Sequence, residues 1–411
     1  MTATRLVVDG LGRLPQFAHA GLTDDHVFVA GTLGTDDGLA LVEGGTGPET
    51  AQALRNVTTI LGAAGATLDD VVMVRVHLHD LGTFAAMNEA YGAFFDGTPP
   101  ARITIGGVDL ALHANVELEC VARRPRPAPP VARGTAGPTR RTGSLDHDGE
   151  RLHFEVVGEG GTPLVLCHGA GGNHASWFQQ VATFAADRTV VTWDHRAYGR
   201  STDRADRSGP EVAVGDLLAL LDHLGITRCD LVGQSMGGWT AAGVALARPT
   251  LVRSLVLADT LGGFTSGAVA AAMAAPRTVR VDALDDGRLG RHPALDPGFA
   301  ARSPELAHLY QSIGSMGTAD PARIIPRLLA VTHDAAEATT LTCPVLCLVG
   351  DRDPLFPPSA VRAVAELLPD ARVVELPGSG HSPYFEDPEA WNLVVGRFLA
   401  QVERSEDTAR R

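Results

Sequence analysis

The stretch Leu231–Trp239, LVGQSMGGW, decides the fold of most of this chain. An apolar run ends abruptly at Gly233, and an Ala-rich helical run follows the serine directly. Glycines on both sides of Ser235 let the backbone turn sharply from strand to helix and keep the hydroxyl clear of neighbouring side chains. At a helix N-terminus, free backbone N–H groups and the helix dipole favour a developing oxyanion. The pattern therefore predicts a nucleophilic serine at a strand–turn–helix junction.

Two further segments contain what a serine nucleophile requires, which is a base and a group that orients the base. His381 follows the last predicted strand, within GSGHSPYFEDPEAW, and Asp353 follows the preceding one, within LVGDRDPLFPP. Because the carboxyl ends of parallel strands meet at one edge of a sheet, we expect these side chains to meet Ser235. Asp351 could instead be the acid or half of a metal pair, although a solvated turn carboxylate is the preferred interpretation.

A glycine-rich loop, His168–Gly172 (HGAGG), follows an earlier predicted strand. Its N–H groups can point at an oxyanion, so we assign the backbone N–H groups of Ala170 and Met236 as the oxyanion hole. Each such donor typically contributes about 10²–10³ in rate. His168, Trp177 and Tyr310 are candidates for lining a substrate pocket, although structural packing explains each of them as well.

Strands and helices alternate from Ser144 to about Val402, which predicts a mostly parallel sheet with helices on both faces. The interval from about 261 to 341 has no strong strand signal and helical patches, and it predicts a helical lid over the site. The predicted strands of this domain are Leu152–Val157, Leu164–Cys167, Val190–Trp193, Leu231–Val232, Leu255–Ala258, Val345–Val349 and Val373–Leu376.

Residues 150–402 resemble the α/β-hydrolase superfamily through HGAGG, DHRAYGRS (Asp194–Ser201), GQSMGG, DRDPLFP and GSGHSP, all in order. The resemblance implies a Ser235–His381–Asp353 triad with a mobile cap, and it implies neither a cofactor nor a metal. A serine at position 235 disfavours haloalkane dehalogenase and epoxide hydrolase chemistry, which need a carboxylate nucleophile. Esterase, lactonase, amide hydrolase, C–C bond hydrolase, perhydrolase and lyase chemistry all remain open.

Residues 1–122 predict one small α+β domain with two helices and about six strands. Within it, Val27–Ala30 and Leu39–Val42 are expected to form a hairpin. Arg102 starts a strand beside apolar neighbours, which suits a guanidinium for bidentate binding of a carboxylate. An ion pair with Glu117 that only adds stability is an equally good interpretation of the two residues.

Residues 15–122 resemble the reactive-intermediate deaminase (Rid, YjgF-type) family in stretches that include Phe17–Ala20, Val29–Gly31, AAGATLDDVV, PARIT and VELECVA. The resemblance implies a chorismate-mutase-like fold, a trimer with clefts between subunits, and hydrolysis of enamines and imines of amino acids to oxo acids and ammonia. It implies that Arg102 binds the substrate carboxylate and that Glu117 positions water. The resemblance also places Phe17 and Gly31 at this site. The family often has a tyrosine at the position of Phe17, which lacks its hydroxyl.

Residues 123–143, RRPRPAPPVARGTAGPTRRTG, contain five prolines and no apolar periodicity. This composition predicts an extended, solvated linker. The predicted organisation is therefore a Rid-like domain at 1–122, the linker at 123–143 and a hydrolase domain at 144–411.

The net charge of −14 argues against a nucleic-acid or anionic-membrane partner. All 34 basic residues are arginines, which excludes a Schiff-base or P-loop lysine. The five scattered cysteines are expected to be reduced core thiols, typical of a cytoplasmic protein. Neither a secretory signal nor an apolar run of about 18 residues is visible in the sequence.

Two hypotheses about function follow. In the first, the chain is a bifunctional enzyme that acts on small molecules and assembles as a trimer through its Rid-like domain. In the second, only the hydrolase is catalytic, and the Rid-like domain is an oligomerisation or ligand-sensing module. The sequence does not name the substrate of either domain.

Overall fold

The computed structural model describes residues 4–8, 10–23, 25–95, 98–124, 137–275 and 292–410. The chain separates into two compact units, Met1–Pro129 and Pro130–Arg411. Residues 125–136 of the predicted linker and 276–291 of the predicted lid lie outside the described residues.

The described part of the first unit contains a six-stranded sheet with the strand order β1-β2-β3-β6-β4-β5. Ala53, Val57 and Leu61, which recur on one face of α1, are buried in its core, as their spacing predicts. The strands are β1 (Thr4–Leu6), β2 (Ala20–Leu22), β3 (His26–Leu33), β4 (Val71–Leu78), β5 (Ala101–Gly106) and β6 (Val116–Arg123), and the helices are α1 (Thr46–Ala63) and α2 (Phe84–Gly92).

The prediction of a strand at Leu39–Val42 is wrong, because that segment forms only an isolated bridge between Thr35 and Leu41. The partners of β3 are instead β2 and β6. Leu39 has a φ of 65°, a left-handed conformation that interrupts an extended strand.

The second unit contains an eight-stranded sheet with the order β14-β13-β12-β11-β9-β10-β8-β7. In this order the neighbouring strands from β14 to β10 pair parallel, whereas β8 pairs antiparallel with both β10 and β7. The strands are β7 (Arg140–His147), β8 (Glu150–Val157), β9 (Leu164–Cys167), β10 (Val190–Trp193), β11 (Cys229–Gln234), β12 (Val252–Ala258), β13 (Val345–Gly350) and β14 (Ala371–Leu376).

The central strands are buried on both faces, so their sequences are continuous runs of apolar residues. Alternate residues enter different cores: Leu231 joins one hydrophobic cluster, whereas its neighbour Val232 joins the other. The helices that cover the sheet are α3 (Phe178–Phe184), α4 (Pro210–His223), α5 (Met236–Ala247), α11 (Pro358–Ala365), α12 (Pro383–Glu386) and α13 (Pro388–Arg410).

Two features of the second unit differ from the sequence-based expectations or extend them. Residues 140–143, predicted as linker, belong to β7, an edge strand whose polar composition hides it from an apolar pattern. The described parts of 261–341 are helical, and their role as a lid stays a prediction. These helices are α6 (Gly267–Ala274), α7 (Phe299–Arg302), α8 (Pro304–Gly314), α9 (Pro321–Ala330) and α10 (Ala335–Ala338).

No described helix combines the length and the apolar character that a membrane-spanning segment requires.

We predict that Arg253→Ala destabilises the second unit by about 3–5 kcal/mol, because it leaves a buried carboxylate without its main partner. Arg253 donates two hydrogen bonds to Asp230, at 2.9 and 2.5 Å, and both side chains are buried. The measurement is guanidinium-induced unfolding followed by tryptophan fluorescence. All four tryptophans lie between residues 177 and 391, so the signal reports the second unit alone.

The matched control is Arg248→Ala, which removes a bidentate pair with Asp222 at 2.7 and 2.9 Å on the exposed surface. This control should cost no more than about 1 kcal/mol. Equal losses of unfolding free energy in the two variants would contradict the prediction that the buried Arg253–Asp230 pair contributes more than the exposed one.

Candidate active sites

Ser235 lies at the junction of β11 and α5 with a φ of 49° and a ψ of −119°. A left-handed backbone conformation costs a residue with a side chain about 1–3 kcal/mol, so the surroundings must hold it. The Ser235 N–H donates to the Ala258 carbonyl at 3.0 Å, and the Thr260 hydroxyl donates to the Ser235 carbonyl at 2.7 Å. The backbone is therefore fixed on both sides of the serine.

The glycines around Ser235 are required by close packing. A Cβ on Gly233 would lie 2.4 Å from the Gly237 carbonyl oxygen, and a Cβ on Gly237 would lie 2.1 Å from the Cys167 carbonyl oxygen. On the facing loop, a Cβ on Gly169 would lie 3.0 Å from the Ser235 Cβ. The loop after β9 therefore reaches Ser235 only because it carries a glycine there.

His381 and Asp353 are joined by a hydrogen bond of 2.8 Å between Nδ1 and Oδ2. The other carboxylate oxygen, Oδ1, accepts the backbone N–H groups of Leu355 at 2.7 Å and Phe356 at 3.0 Å. Both side chains are buried. This arrangement fixes the ring so that Nε2 is available as a base.

The structure brings the loop of His381 next to Ser235. Gln234, which precedes the serine, donates its side-chain amide to the His381 carbonyl at 2.9 Å. Ala170 follows Gly169, the residue that contacts Ser235, and Met236 is the first residue of α5. The Met236 N–H therefore has no partner within the helix, which is what an oxyanion donor requires.

Asp194 and Arg196 hold the loops beside the site. Asp194 accepts the backbone N–H groups of His174 at 2.7 Å and Arg200 at 2.8 Å. Arg196 makes a bidentate, buried pair with Asp216 at 2.8 and 2.7 Å. These contacts indicate that both residues stabilise the positions of the loops.

Asp351 has a different partner from Asp353, because its carboxylate accepts the Gly378 N–H at 2.7 Å. Among the described residues, Asp353 is therefore the member of the DRD sequence that contacts His381.

Two groups in the second unit have the ligand types of a metal site, with donor atoms within 4.8 Å of one another. In the first, His153, His174 and Asp194, the carboxylate already receives the ring Nδ1–H of His174 at 2.8 Å besides two backbone N–H groups. The second consists of Asp259, Asp353 and His381. We interpret both groups as hydrogen-bonded networks.

Of the three residues predicted as possible pocket lining, Trp177 and His168 are buried and make packing contacts or hydrogen bonds within the domain. Trp177 is fully buried and stacks on Tyr384 at 4.6 Å between ring centres. The ring of His168 donates from Nδ1 to the Gly169 carbonyl, and its Nε2 accepts the His195 N–H. Burial lowers the pKa of His168 to about 4, so its ring is neutral near pH 7. These contacts agree with the packing interpretation of both residues, and a role in lining the pocket stays a prediction.

Tyr310, the third of these residues, lies beside the site. Its hydroxyl is 2.9 Å from the Ser382 hydroxyl oxygen, next to His381. It also packs against the glycine-rich loop, since a Cβ on Gly171 would lie 3.4 Å from the Tyr310 hydroxyl oxygen. Burial raises the pKa of Tyr310 to about 12, so the phenol keeps its proton near neutral pH.

Glu386 was not predicted from the sequence, and its carboxylate joins three segments by hydrogen bonds. Its carboxylate accepts the N–H groups of Gly380 at 3.2 Å and Ser382 at 3.1 Å, the two residues that flank His381. It also accepts the Asp296 N–H at 2.8 Å, from the interval between β12 and β13. Bonds to backbone amides leave no side-chain pattern in a sequence, so no signal pointed to this residue.

Asp259 was also missed, although a signal existed. It directly follows β12, one of the strands whose carboxyl ends form the site, and its side chain is fully buried. A carboxylate at the end of a predicted strand adjacent to that of Asp353 could have been considered with it.

The first unit has a pocket of about 150 Å³ whose lining includes Phe17, Gly31 and Glu117. Glu117 packs so closely on Gly31 that a Cβ there would lie 1.8 Å from its Oε1. Arg102 is elsewhere in the protomer. Its guanidinium donates to Asn88 Oδ1 at 2.6 Å and lies 4.6 Å from the centre of the Tyr91 ring. The structure thus brings three of the four predicted residues together.

Comparison with known proteins identifies both units. The model of the alpha/beta hydrolase fold family matches residues 162–388. The chain belongs to this family. A second model, described as Endoribonuclease L-PSP, matches residues 11–124, so the chain is a fusion of a Rid-type domain and an α/β-hydrolase domain.

Three relatives of the α/β-hydrolase domain show the range of its similarities. The chain is 32% identical over 256 residues to the dihydrolipoyllysine-residue acetyltransferase component of the acetoin cleaving system of Pseudomonas putida, covering 60% of the chain and 65% of that protein. It is 27% identical to 3-oxoadipate enol-lactonase 2 of Acinetobacter baylyi, covering 59% of the chain and 91% of that protein. The crystal structure of the enol-lactonase from Burkholderia xenovorans LB400 is 26% identical with a TM-score of 0.53. The match covers 63% of the chain and 100% of that protein.

We predict that Glu386 makes the stability of the α/β-hydrolase domain depend on pH. Burial raises the pKa of its carboxyl from 4.5 to about 7. Between these two pH values the folded chain therefore holds a proton that the unfolded chain has released. The resulting stabilisation is complete below about pH 4.5 and is lost as the pH rises through 7. Relative to Glu386→Gln, the wild type should therefore lose stability across this interval.

The measurement is the free energy of unfolding of both proteins from pH 4.5 to 8, with the exposed Glu389→Gln as the control variant. A difference between wild type and Glu386→Gln that stays constant with pH, as expected for the control, would contradict the assignment.

Proposed function

We propose that the α/β-hydrolase domain is a serine hydrolase that cleaves an ester or lactone of a small molecule through an acyl-enzyme. The observation that carries this proposal is the hydrogen bond between His381 and Asp353. The loop of His381 lies next to Ser235, because Gln234, the residue before the serine, donates a hydrogen bond to the His381 carbonyl. The enol-lactonases among the relatives support this substrate class, while other relatives are named carbamate hydrolases.

In the proposed reaction, Ser235 Oγ attacks the acyl carbon while His381 Nε2 accepts the hydroxyl proton. The Ala170 and Met236 N–H groups donate to the resulting oxyanion. His381 then gives its proton to the departing alkoxide, and the C–O bond of the substrate breaks. Water, activated by the same histidine, releases the acid and restores Ser235.

The described helices of the interval 261–341 support a role in enclosing the substrate. Tyr310 of α8 contacts both Gly171 and Ser382, so this interval reaches the oxyanion loop and the histidine loop. We infer that it forms the lid over the pocket.

We predict that Ser235→Ala lowers kcat for ester or lactone hydrolysis by about 10⁴-fold or more, because it removes the proposed nucleophile. The measurement uses a panel of p-nitrophenyl esters and simple lactones at neutral pH. The control is Ser405→Ala on α13, where the hydroxyl only donates to the Gln401 carbonyl. Comparable rates in Ser235→Ala and wild type would reject Ser235 as the nucleophile.

For the Rid-type domain, we propose hydrolysis of an enamine or imine that bears a carboxylate, at a site shared between two copies of the chain. Glu117 would position the water that adds to the imine carbon, and ammonia would leave to give an oxo acid. Arg102 would bind the carboxylate, with a guanidinium suited to bidentate contact.

Two observations support a shared site. Glu117 faces the opposite side of the sheet from Arg102, because Glu117 alternates with buried Val116 and Leu118 whereas Arg102 pairs with buried Val74. A single protomer therefore cannot bring the two side chains together across its own sheet. On the side of Glu117, Phe28, Ile103 and Ile105 are about half exposed, as an apolar surface between copies requires.

The test is complementation between variants with enzymatically generated 2-aminoacrylate as substrate and ammonia release as the measurement. Arg102→Ala removes one charge-assisted contact and should lower kcat/KM by about 10- to 150-fold. Glu117→Gln should also be impaired, and mixed oligomers from co-expression should regain part of the wild-type rate. Arg55→Ala, on the exposed face of α1, is the control that should leave the rate unchanged.

Mixed oligomers no more active than the single variants would contradict a shared site. A wild-type rate no greater than the spontaneous reaction would favour the second hypothesis, in which this domain is an oligomerisation or ligand-binding module.

A further inference from the structure

Asp259 places a second carboxyl group beside the proposed triad. Its Oδ1 accepts the Gly350 N–H at 2.9 Å, while Oδ2 is buried and has no hydrogen-bond partner among the described residues. One oxygen of Asp259, one of Asp353 and one ring nitrogen of His381 lie within 4.8 Å of one another. The backbone of Asp259 is held at a φ of 49°, so its surroundings determine its position.

Two buried carboxyl groups this close cannot both remain ionised without a compensating cation. Asp353 has the better claim to the charge, because three N–H donors point at its carboxylate. Asp259 receives one such donor, and no ion pair to it is found in the described parts of the chain. Burial and the negative charge of Asp353 raise the pKa of Asp259 well above its ordinary range.

A neutral Asp259 has a carboxylic O–H that needs an acceptor, since a buried donor without one costs about 1–3 kcal/mol. Oδ1 of Asp353 already accepts two N–H groups, which uses both of its lone pairs. Oδ2 of Asp353 accepts only the His381 Nδ1–H and keeps one lone pair free among the described contacts.

We propose that Asp259 is a positioning residue of the triad, a neutral acid whose O–H donates to Oδ2 of Asp353. The two carboxyl groups then share one proton and carry one negative charge. This inference rests on the proposed function of the Ser235 site and adds a fourth group to it.

The O–H donor has a consequence for His381. It draws negative charge away from Asp353, which then stabilises the imidazolium form less strongly. Loss of the donor should raise the pKa of His381 and move the acid limb of kcat/KM to higher pH.

The opposite sign is expected if Asp259 is ionised. In that case its charge would stabilise the imidazolium, and any neutral replacement would move the His381 titration to lower pH. The direction of the shift therefore distinguishes the two protonation states.

The experiment compares Asp259→Asn and Asp259→Leu in the full chain. Asparagine keeps an acceptor for the Gly350 N–H and a donor for Asp353, whereas leucine has similar size and no donor. The His381 titration is followed by ¹⁵N-histidine NMR, assigned with His381→Gln, and the acid limb of kcat/KM is measured beside it. We expect little change in Asp259→Asn and an upward shift of about one pH unit in Asp259→Leu.

Downward shifts in both variants would overturn the proposal. If Asp259→Leu does not fold, Asp259→Asn still decides, because an unchanged titration supports a neutral Asp259 and a downward shift contradicts it. Infrared spectra of ¹³C-aspartate-labelled protein provide a second measurement: a protonated-carboxyl band near pH 7 should be present in wild type and absent in Asp259→Asn.

Other titratable groups facing the cluster need a control. Glu386 lies close enough for its charge to act on Asp259, and Tyr310 and Tyr384 also interact with Asp259. Burial raises the pKa of both tyrosines far above neutral pH, so of these three groups Glu386 is the one that titrates near neutral pH. Repeating the titration in Glu386→Gln should leave the effect of Asp259→Leu intact.

The NMR and infrared readouts need no substrate, which separates this inference from the proposed function. If Ser235→Ala remains active while the Asp259 variants behave as expected, the nucleophile is wrong and the shared proton stands. If Ser235→Ala is inactive and the Asp259 shifts are downward, only the shared proton is wrong.

Discussion

The left-handed backbone of Ser235 is the constraint on which the rest of the second unit depends. A φ of 49° at a non-glycine residue is maintained only because the flanking strand and Thr260 bind the serine from both sides. Gly233 and Gly237 are needed because the loop after β9 and the start of α5 pass within contact distance. The sharp turn places Ser235 at the helix N-terminus, where the glycine-rich loop can meet it.

The parallel sheet then supplies the partners. β11, β12 and β13 are neighbours, and they end in Ser235, Asp259 and the loop of Asp353. His381 lies in the loop after β14 and is hydrogen-bonded to Asp353. Glu386 accepts the backbone N–H groups on either side of His381 and that of Asp296, in the interval between β12 and β13. Segments far apart in sequence thus converge because their strands are adjacent and run the same way.

Much of this arrangement follows from the sequence, since strand ends and glycine-flanked motifs are local patterns. Ser235, His381 and Asp353 are identified by motifs, and the alternation of strands predicts the sheet. Asp259 and Glu386 were not predicted, because they act through burial and through hydrogen bonds to backbone amides. The strand β7 was not predicted, because its exposed edge carries arginines. The separation of Arg102 from Glu117 depends on strand register, which composition does not reveal.

The most direct test of the central claim is to treat the folded chain with a fluorophosphonate and locate the adduct by peptide mass spectrometry. The account predicts one adduct per chain, on the peptide that contains Ser235, formed in wild type and lost on prior unfolding or in Ser235→Ala. An adduct on a different residue, or labelling that persists in Ser235→Ala, would contradict the account.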